Sequence, residues 1–356
     1  MTLRPWLRPG RLLLLTALLL AVLAAGHAVL WNTMASRLQA GFDIWAAARR
    51  ASGWRVEHAP PVRGGWPFAA TLRLPEFRLS GGTATLPGGI EWSSAEVVLA
   101  VRLPRLDELQ IRSGGPQRLR LGNLDLPFRA DRLEGSVPLQ ADVLPKGGSF
   151  GARRLRIGTP AGGVEIAELD LTLDTRASAI EGEPALTVQG EVRDVLLPTA
   201  GSLGRAIAHL ALDASLTGPV PGGRSPATRA ATWRDAGGTV EIRRLDATWG
   251  PATARGTATV ALDEALQPMG AGTLRLTGAN AVLDSLVAAG LVPARSAGLA
   301  RGVIGLLSRP AEGGGPPQIE VPLTLEDRSL TVARIPVARL PPVAWPAGGE
   351  RVGPGF

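Results

Sequence analysis

The sequence predicts a mainly β (α+β) protein: one N-terminal transmembrane helix, then curved, bulged antiparallel sheets forming an open barrel or half-barrel, with a few short helices. Three observations carry this. An uncharged apolar run of 20 residues lies near the N-terminus. Past Gly53 the apolar period drops from near 3.6 residues to 2. Gly and Pro number 45 and 30 among 356 residues, without a Gly-X-Y period, a composition of many turns.

The apolar run, residues 12–31, reads LLLLTALLLAVLAAGHAVLW. At about 1.5 Å per residue it spans roughly 30 Å, the thickness of a hydrocarbon core. Arg4, Arg8 and Arg11 precede it, whereas Arg37, opposed by Asp43, is the one basic residue in the next fifteen. The positive-inside bias therefore leaves residues 1–11 as a cytoplasmic basic stub and exports the rest. Trp6 and Trp31 bracket the span. Ala24, Ala25 and Gly26 suit a signal peptidase, but the run exceeds the usual h-region of about 7–15 residues, and a helix continues out of it, which favours a retained anchor. His27 reads as a neutral histidine near the outer interface, with a proton relay as the alternative. Residues 32–53 form an amphipathic helix with Met34, Leu38, Phe42, Trp45 and Ala48 on one face and Gly53 as its stop. That helix packs on the body or lies at the membrane surface with Trp45 and Trp54 as interface residues.

The body divides into a β-sheet region at residues 54–217, a Gly/Pro-rich linker at 218–226, a second sheet with helices at 227–345, and a tail at 346–356; residues 309–318 are a further break. Alternating apolar residues mark the strands: Val97, Leu99, Val101, Leu103; Leu186, Val188, Val192, Leu196; Ala208, Leu210, Leu212, Ala214, Leu216; Ala254, Gly256, Ala258, Val260, Leu262; Leu274, Leu276; Ile319, Val321, Leu323, Leu325. Strict alternation gives one apolar and one wet face and favours antiparallel pairing. Three strands change phase midway: at Pro75, between Ile166 and Leu169, and at Arg243-Arg244. Each break requires a bulge or bend. Helices are expected at 198–205, 226–235, 280–289 with Asn280 as N-cap, and 296–308. These are too few to cover the apolar faces of about a dozen strands, so the sheet closes on itself, packs sheet on sheet, or leaves an apolar trough.

Composition removes most chemistry. Cys and Tyr are absent and His numbers three, so disulfides, thiolate metal sites and a cysteine nucleophile are excluded. Gly147-Gly148-Ser149-Phe150-Gly151 matches G-x-S-x-G but reads as a glycine-rich loop between strands, without the strand and helix a nucleophile elbow needs. No metal-ligand spacing involves His58 or His209, and Glu165, Glu168, Asp170 and Asp174 read as a solvated strand face. Seven of the 38 basic residues and one of the 31 acidic residues fall within residues 1–55, leaving the body near neutral and without the basic surface that nucleic-acid binding needs. No catalytic, cofactor-binding or metal residue is assigned, no cofactor is expected, and the chain does not read as an enzyme.

Several segments together resemble a bacterial family, the domain of unknown function 2125 (DUF2125). They are Gly64-Gly65-Trp66-Pro67-Phe68, Trp233-Arg234-Asp235-Ala236-Gly237-Gly238, Trp249-Gly250-Pro251 with the following GTATVALD, and Leu340-Pro341-Pro342. Trp66 stands where Phe is expected. These motifs are turns, so they mark kinship and assign no chemistry. The rhythm of residues 238–290 is more weakly similar to AsmA-type envelope proteins, which are anchored by one helix and are thought to carry phospholipid acyl chains along a curved sheet. The resemblance implies an inner-membrane, single-pass protein with a periplasmic body. Its candidate apolar ligand face is Val97, Leu99, Val101, Leu186, Val188, Leu210, Leu212, Val260, Leu262, Leu274, Val321, Leu323 and Leu325. The same residues also suit a dry core. An envelope assembly factor binding proteins through strand edges or Trp66, Trp92 and Trp345 is the alternative, and an exported hydrolase using Ser149 the third reading.

Overall fold

The computed structural model describes residues 9–82, 89–139, 147–176, 178–221, 225–290, 292–310, 316–333 and 335–345. The basic stub (but for its last residues), Trp6, the middle of the 218–226 linker, much of the 309–318 break and the 346–356 tail lie outside them.

The expected anchor and amphipathic helix are one unbroken helix, α1 (Pro9–Ala51). Leu13–Ala51 is the one described helix long and apolar enough to cross a membrane, and its apolar N-terminal stretch is wholly unburied. The C-terminal half packs on the body. Its buried residues are Ala35, Phe42 and Ala46, with Leu38 packed beside them. The seam is thus rotated from the expected face: small Ala35 and Ala46 let the helix approach the sheet closely, while Trp45 stays outside, stacked on Phe42 at 5.9 Å. Trp54 lies over Gly81, where a β-carbon would meet its ring at 2.6 Å.

The rest is one antiparallel sheet of seventeen described strands. Short β1 (Arg55–Glu57) and β2 (Val62–Gly64) both flank β3 (Ala69–Gly81). The ladder continues through β4 (Ile90–Arg102) and β5 (Glu108–Leu121). Strands β6 (Leu124–Arg129) and β7 (Arg132–Pro138) lie end to end between β5 and β8 (Gly147–Thr159). Then follow β9 (Gly162–Thr175), β10 (Pro184–Gly201) and β11 (Gly204–Thr217). Helix α2 (Pro226–Asp235) intervenes, capped by Ser225 and started by Pro226. The ladder resumes with β12 (Val240–Trp249), β13 (Ala252–Leu262) and β14 (Pro268–Thr277). Helices α3 (Ala279–Ala288) and α4 (Ala294–Leu307) precede β15 (Gln318–Glu326), β16 (Ser329–Val332) and β17 (Ile335–Arg339). Because β11 pairs with β12, the sheet runs across the 218–226 boundary.

Two local expectations change. Residues 198–205 are not helical: β10 and β11 run to a tight hairpin closed at Gly201 and Gly204, with Leu203 buried in the turn. Helix α3 is entered from Gly278 at φ 65°, with no side-chain cap, so Asn280 is not its N-cap. A β-carbon at Gly278 would lie 2.5 Å from the Pro251 carbonyl oxygen, so glycine is required there.

Of the expected breaks, Arg243-Arg244 is a bulge, two residues facing Thr257, whereas those at Pro75 and between Ile166 and Leu169 belong to a crease at which facing strands each leave one residue unpaired and keep register. The crease also crosses β10 and β11, where unbroken alternation was expected, and it leaves Val195 buried and Leu196 exposed. Glu76, Arg154 and Asp194 adopt φ of 53°, 49° and 52°. Each is skipped by the pairing register together with an alanine opposite: Ala95, Ala167 and Ala208. The three alanines sit in Ser94-Ala95-Glu96-Val97, Ile166-Ala167-Glu168-Leu169 and Ile207-Ala208-His209-Leu210. A crease therefore crosses β3–β4 and β8–β11 at one height. One unpaired residue in each facing strand moves the alternation by one, so apolar side chains on both sides of the crease stay on the same face.

Candidate functional site

Register carries that face across the sheet. One row runs Leu72, Leu99, Ile111, Gly135, Phe150, Leu171, Gly190, Leu212, Leu245, Gly256, Leu274, Val321. A parallel row runs from Leu74 and Val97 through Ser113, Leu133, Ala152, Leu169, Val192, Leu210, Ala247, Ala254 and Leu276 to Ile319. A twelve-strand face is apolar throughout these two rows, apart from Ser113.

Its covering varies. At the first end α1 lies on it: Phe42 and Ala46 join Val56, Leu72, Leu74, Phe77, Val97 and Leu99 in one cluster. At the last end Ala279 of α3 and Ile304 of α4 pack with Ile319, Val321, Leu274 and Leu276. Between them the first row opens, while the second stays closed at Leu133 and Ala152, which form a buried cluster with Leu155. Relative exposure along the first row is 0% at Leu72 and 9% at Leu99, then 38% at Phe150, 37% at Leu212 and 42% at Leu245, and falls to 3% at Val321. Leu173, in the next row, is equally open.

All thirteen candidate residues thus fall on one face. Val97, Leu99 and Val101 are buried, two of them directly in the α1 cluster, and Val321 is buried beside α3 and α4. Leu186, Val188, Leu210, Val260, Leu262, Leu274, Leu323 and Leu325 are half-buried and Leu212 is exposed.

The opposite face is wet. Arg153 reaches Asp170 (3.1 Å) and Arg193 reaches Glu168 (3.0 Å) and Glu191 (2.7 Å), while His209 pairs with Glu191 at 2.9 Å. Arg275 pairs with Glu320 farther along. Hydrogen bonds with His209, then Arg193, hold the Glu191 carboxyl below its ordinary value. Asp170 and Glu191 raise the Arg153 and Arg193 guanidinium values by hydrogen bonding. Such exposed pairs each contribute only about 0–1 kcal/mol; their worth here is to fix which face meets water.

A family model described as an uncharacterized protein conserved in bacteria (DUF2125) matches residues 31–341. The chain belongs to the DUF2125 family. No curated protein and no solved structure matches it. In this DUF2125 chain the turn motifs that carry the kinship hold the fold. The Trp233 indole donates to the Thr217 carbonyl (2.8 Å) and lies where a β-carbon on Gly238 would be. Trp249 donates to the Gly204 carbonyl (3.1 Å).

The G-x-S-x-G stretch is strand, not loop. Ser149 lies within β8, opposite Thr172, and its hydroxyl pairs with that of Ser136 at 2.9 Å. The glycines serve close strand packing, since a β-carbon on Gly147 would lie 2.2 Å from the Leu173 carbonyl oxygen. Among the described residues no group of three or more acidic or imidazole side chains converges. Trp92 donates to Gln117 and Trp345 to the Leu266 carbonyl, while Trp66 is half exposed.

The candidate face left out Phe150, Leu171, Leu173, Ile242 and Leu245. The alternation of Leu169, Leu171 and Leu173 and of Val240 and Ile242 was legible, but the phase breaks at Ala167 and Arg243 hid which face it joined, and Phe150 lay in the stretch read as a loop. The thrice-repeated Ala followed by Glu or His and an apolar residue was the available signal.

Proposed function

We propose that this DUF2125 protein is a non-enzymatic, inner-membrane-anchored periplasmic protein that binds or shuttles phospholipid acyl chains along the open middle of its apolar face. The observation that carries this reading is the exposure profile of one registered row, covered by helices at its ends and open from Phe150 to Leu245. An acyl chain fits the chemistry of that stretch. It demands no hydrogen bonds, and each buried methylene contributes about 0.8 kcal/mol. Gly190 and Gly256 in the same row keep the floor low where a chain would lie. Tethering by an apolar helix keeps the face beside a lipid source.

A photoreactive amino acid at Leu212 or Leu245, in cells, tests this. Expected are phospholipid-mass adducts at both positions and none at Asp213 or Asp246 on the wet face. Adducts to a protein at Leu212 and Leu245 would replace this reading with the assembly-factor one.

A further inference from the structure

We infer that the turn joining β2 to β3 is a second membrane contact: Trp66 and Phe68 enter the interfacial layer of the bilayer beside α1. The inference rests on α1 being a membrane span. The β2–β3 hairpin lies along the helix with its tip pointing toward the N-terminal end of α1. Arg63 in β2 reaches Gln39 (2.7 Å) and Ser36 (3.3 Å). The turn itself reaches lower, where the Trp31 indole donates to the Ala69 carbonyl (2.8 Å) and His27 Nε2 pairs with the Pro67 carbonyl (2.7 Å). The Trp66 ring packs between the two, 4.8 Å from His27 and 5.9 Å from Trp31. At 1.5 Å per residue, His27 lies about 6 Å farther into the span than Trp31.

Polarity follows the same gradient. The charged residue, Arg63, is at the upper contact. The tip carries Trp66 at 50% exposure and Phe68 at 77%, two large apolar side chains left open beside the one described helix long and apolar enough to cross a membrane. The neighbouring turn is bound to this one through Leu103, whose N–H donates to the Phe68 carbonyl (3.1 Å), and it exposes Leu106. The Trp66 indole, an apolar ring with a polar N–H, suits the headgroup layer, and Phe68 adds exposed apolar area beside it. The imidazole and indole hydrogen bonds fix the depth of the tip, because both run from α1 to the turn's own backbone.

The chain contains no cysteine, so single-cysteine labelling is clean. Phe68→Cys, Leu20→Cys and Ser202→Cys are each labelled with an environment-sensitive fluorophore in the full chain, reconstituted in phosphatidylcholine–phosphatidylglycerol vesicles. Ser202 marks the opposite end of the sheet. The expected result is blue-shifted emission at position 68, quenched by a nitroxide near the headgroup, with position 20 quenched by a nitroxide deep in the acyl chains and position 202 unquenched. Quenching at 20 with none at 68 above that at 202 overturns the second contact and leaves the anchor standing. No quenching at 20 overturns the anchor and the second contact together. Neither result bears on acyl-chain binding at Leu212.

Discussion

Leu72 and Leu212 stand in the same row of one sheet, seven strand positions apart in its ladder, yet one is wholly buried and the other more than a third exposed. The difference lies in what covers them. Leu72 faces Phe42 and Ala46 of α1. Leu212 belongs to the stretch between α1 and the α3–α4 pair. Alternation alone writes both positions identically, so it reports a side chain's face and not its covering. Inside one sheet, the first region is a protein core and the second is a surface of the same chemistry left open.

The largest effect should come where the covering is complete. Leu72→Ala removes a side chain with no exposure from the α1 cluster and should cost about 2–5 kcal/mol. Urea unfolding of the full chain in detergent measures it. A cost below 1 kcal/mol would mean that α1 does not seal this end.

The next effect separates glycines that look alike in sequence. Gly190 and Gly272 both lie on the apolar face. A β-carbon at Gly272 would meet the Thr257 carbonyl oxygen at 2.4 Å, whereas at Gly190 its nearest neighbour is a Leu171 methyl at 3.6 Å. Gly272→Ala should therefore destabilise by about 1–3 kcal/mol through forced backbone shift. Gly190→Ala should leave stability unchanged while raising the floor of the face. Equal melting temperatures for the two variants would break the distinction.

Much of this architecture was legible. The antiparallel sheet, the apolar span, helices near 226–235, 280–289 and 296–308, and the need for a bulge or bend at each phase break all followed from period and turn residues. The helix at 198–205 failed because Pro198 was read as a helix start, whereas the Gly201–Gly204 hairpin lets β10 and β11 continue. The strand at Gly147–Thr159 was hidden because three glycines looked like a loop, although they make room for neighbouring backbone. The candidate face was legible as a face and illegible as a site. Whether Val97 or Leu210 is covered depends on where α1 docks, a contact between residues dozens of positions apart that no local pattern encodes.

A smaller effect lies on the wet side of the same open strands. The Glu191 carboxyl is lowered from 4.5 by His209 and Arg193. A carboxyl with a depressed folded value stabilises the fold above its unfolded value, and that stability is lost as pH falls through the folded one. Glu191→Gln should thus narrow the gap in melting temperature between neutral pH and pH below the ordinary carboxylate range, with little change at the acid end. An unchanged gap would mean that the pair leaves no trace in stability.

The smallest expected effect is the most discriminating. Leu212→Ala removes the same atoms as Leu72→Ala from the same row, but from a side chain already open to solvent. It should change the stability of lipid-free protein by no more than about 0.5 kcal/mol. If phospholipid occupies the middle of the face, the substitution instead removes part of the ligand's contact area, and stabilisation by added lipid should fall while the lipid-free melt stays put. A lipid-free cost in the range of Leu72→Ala would show that Leu212 is sealed by protein, and the contrast between the two regions would vanish.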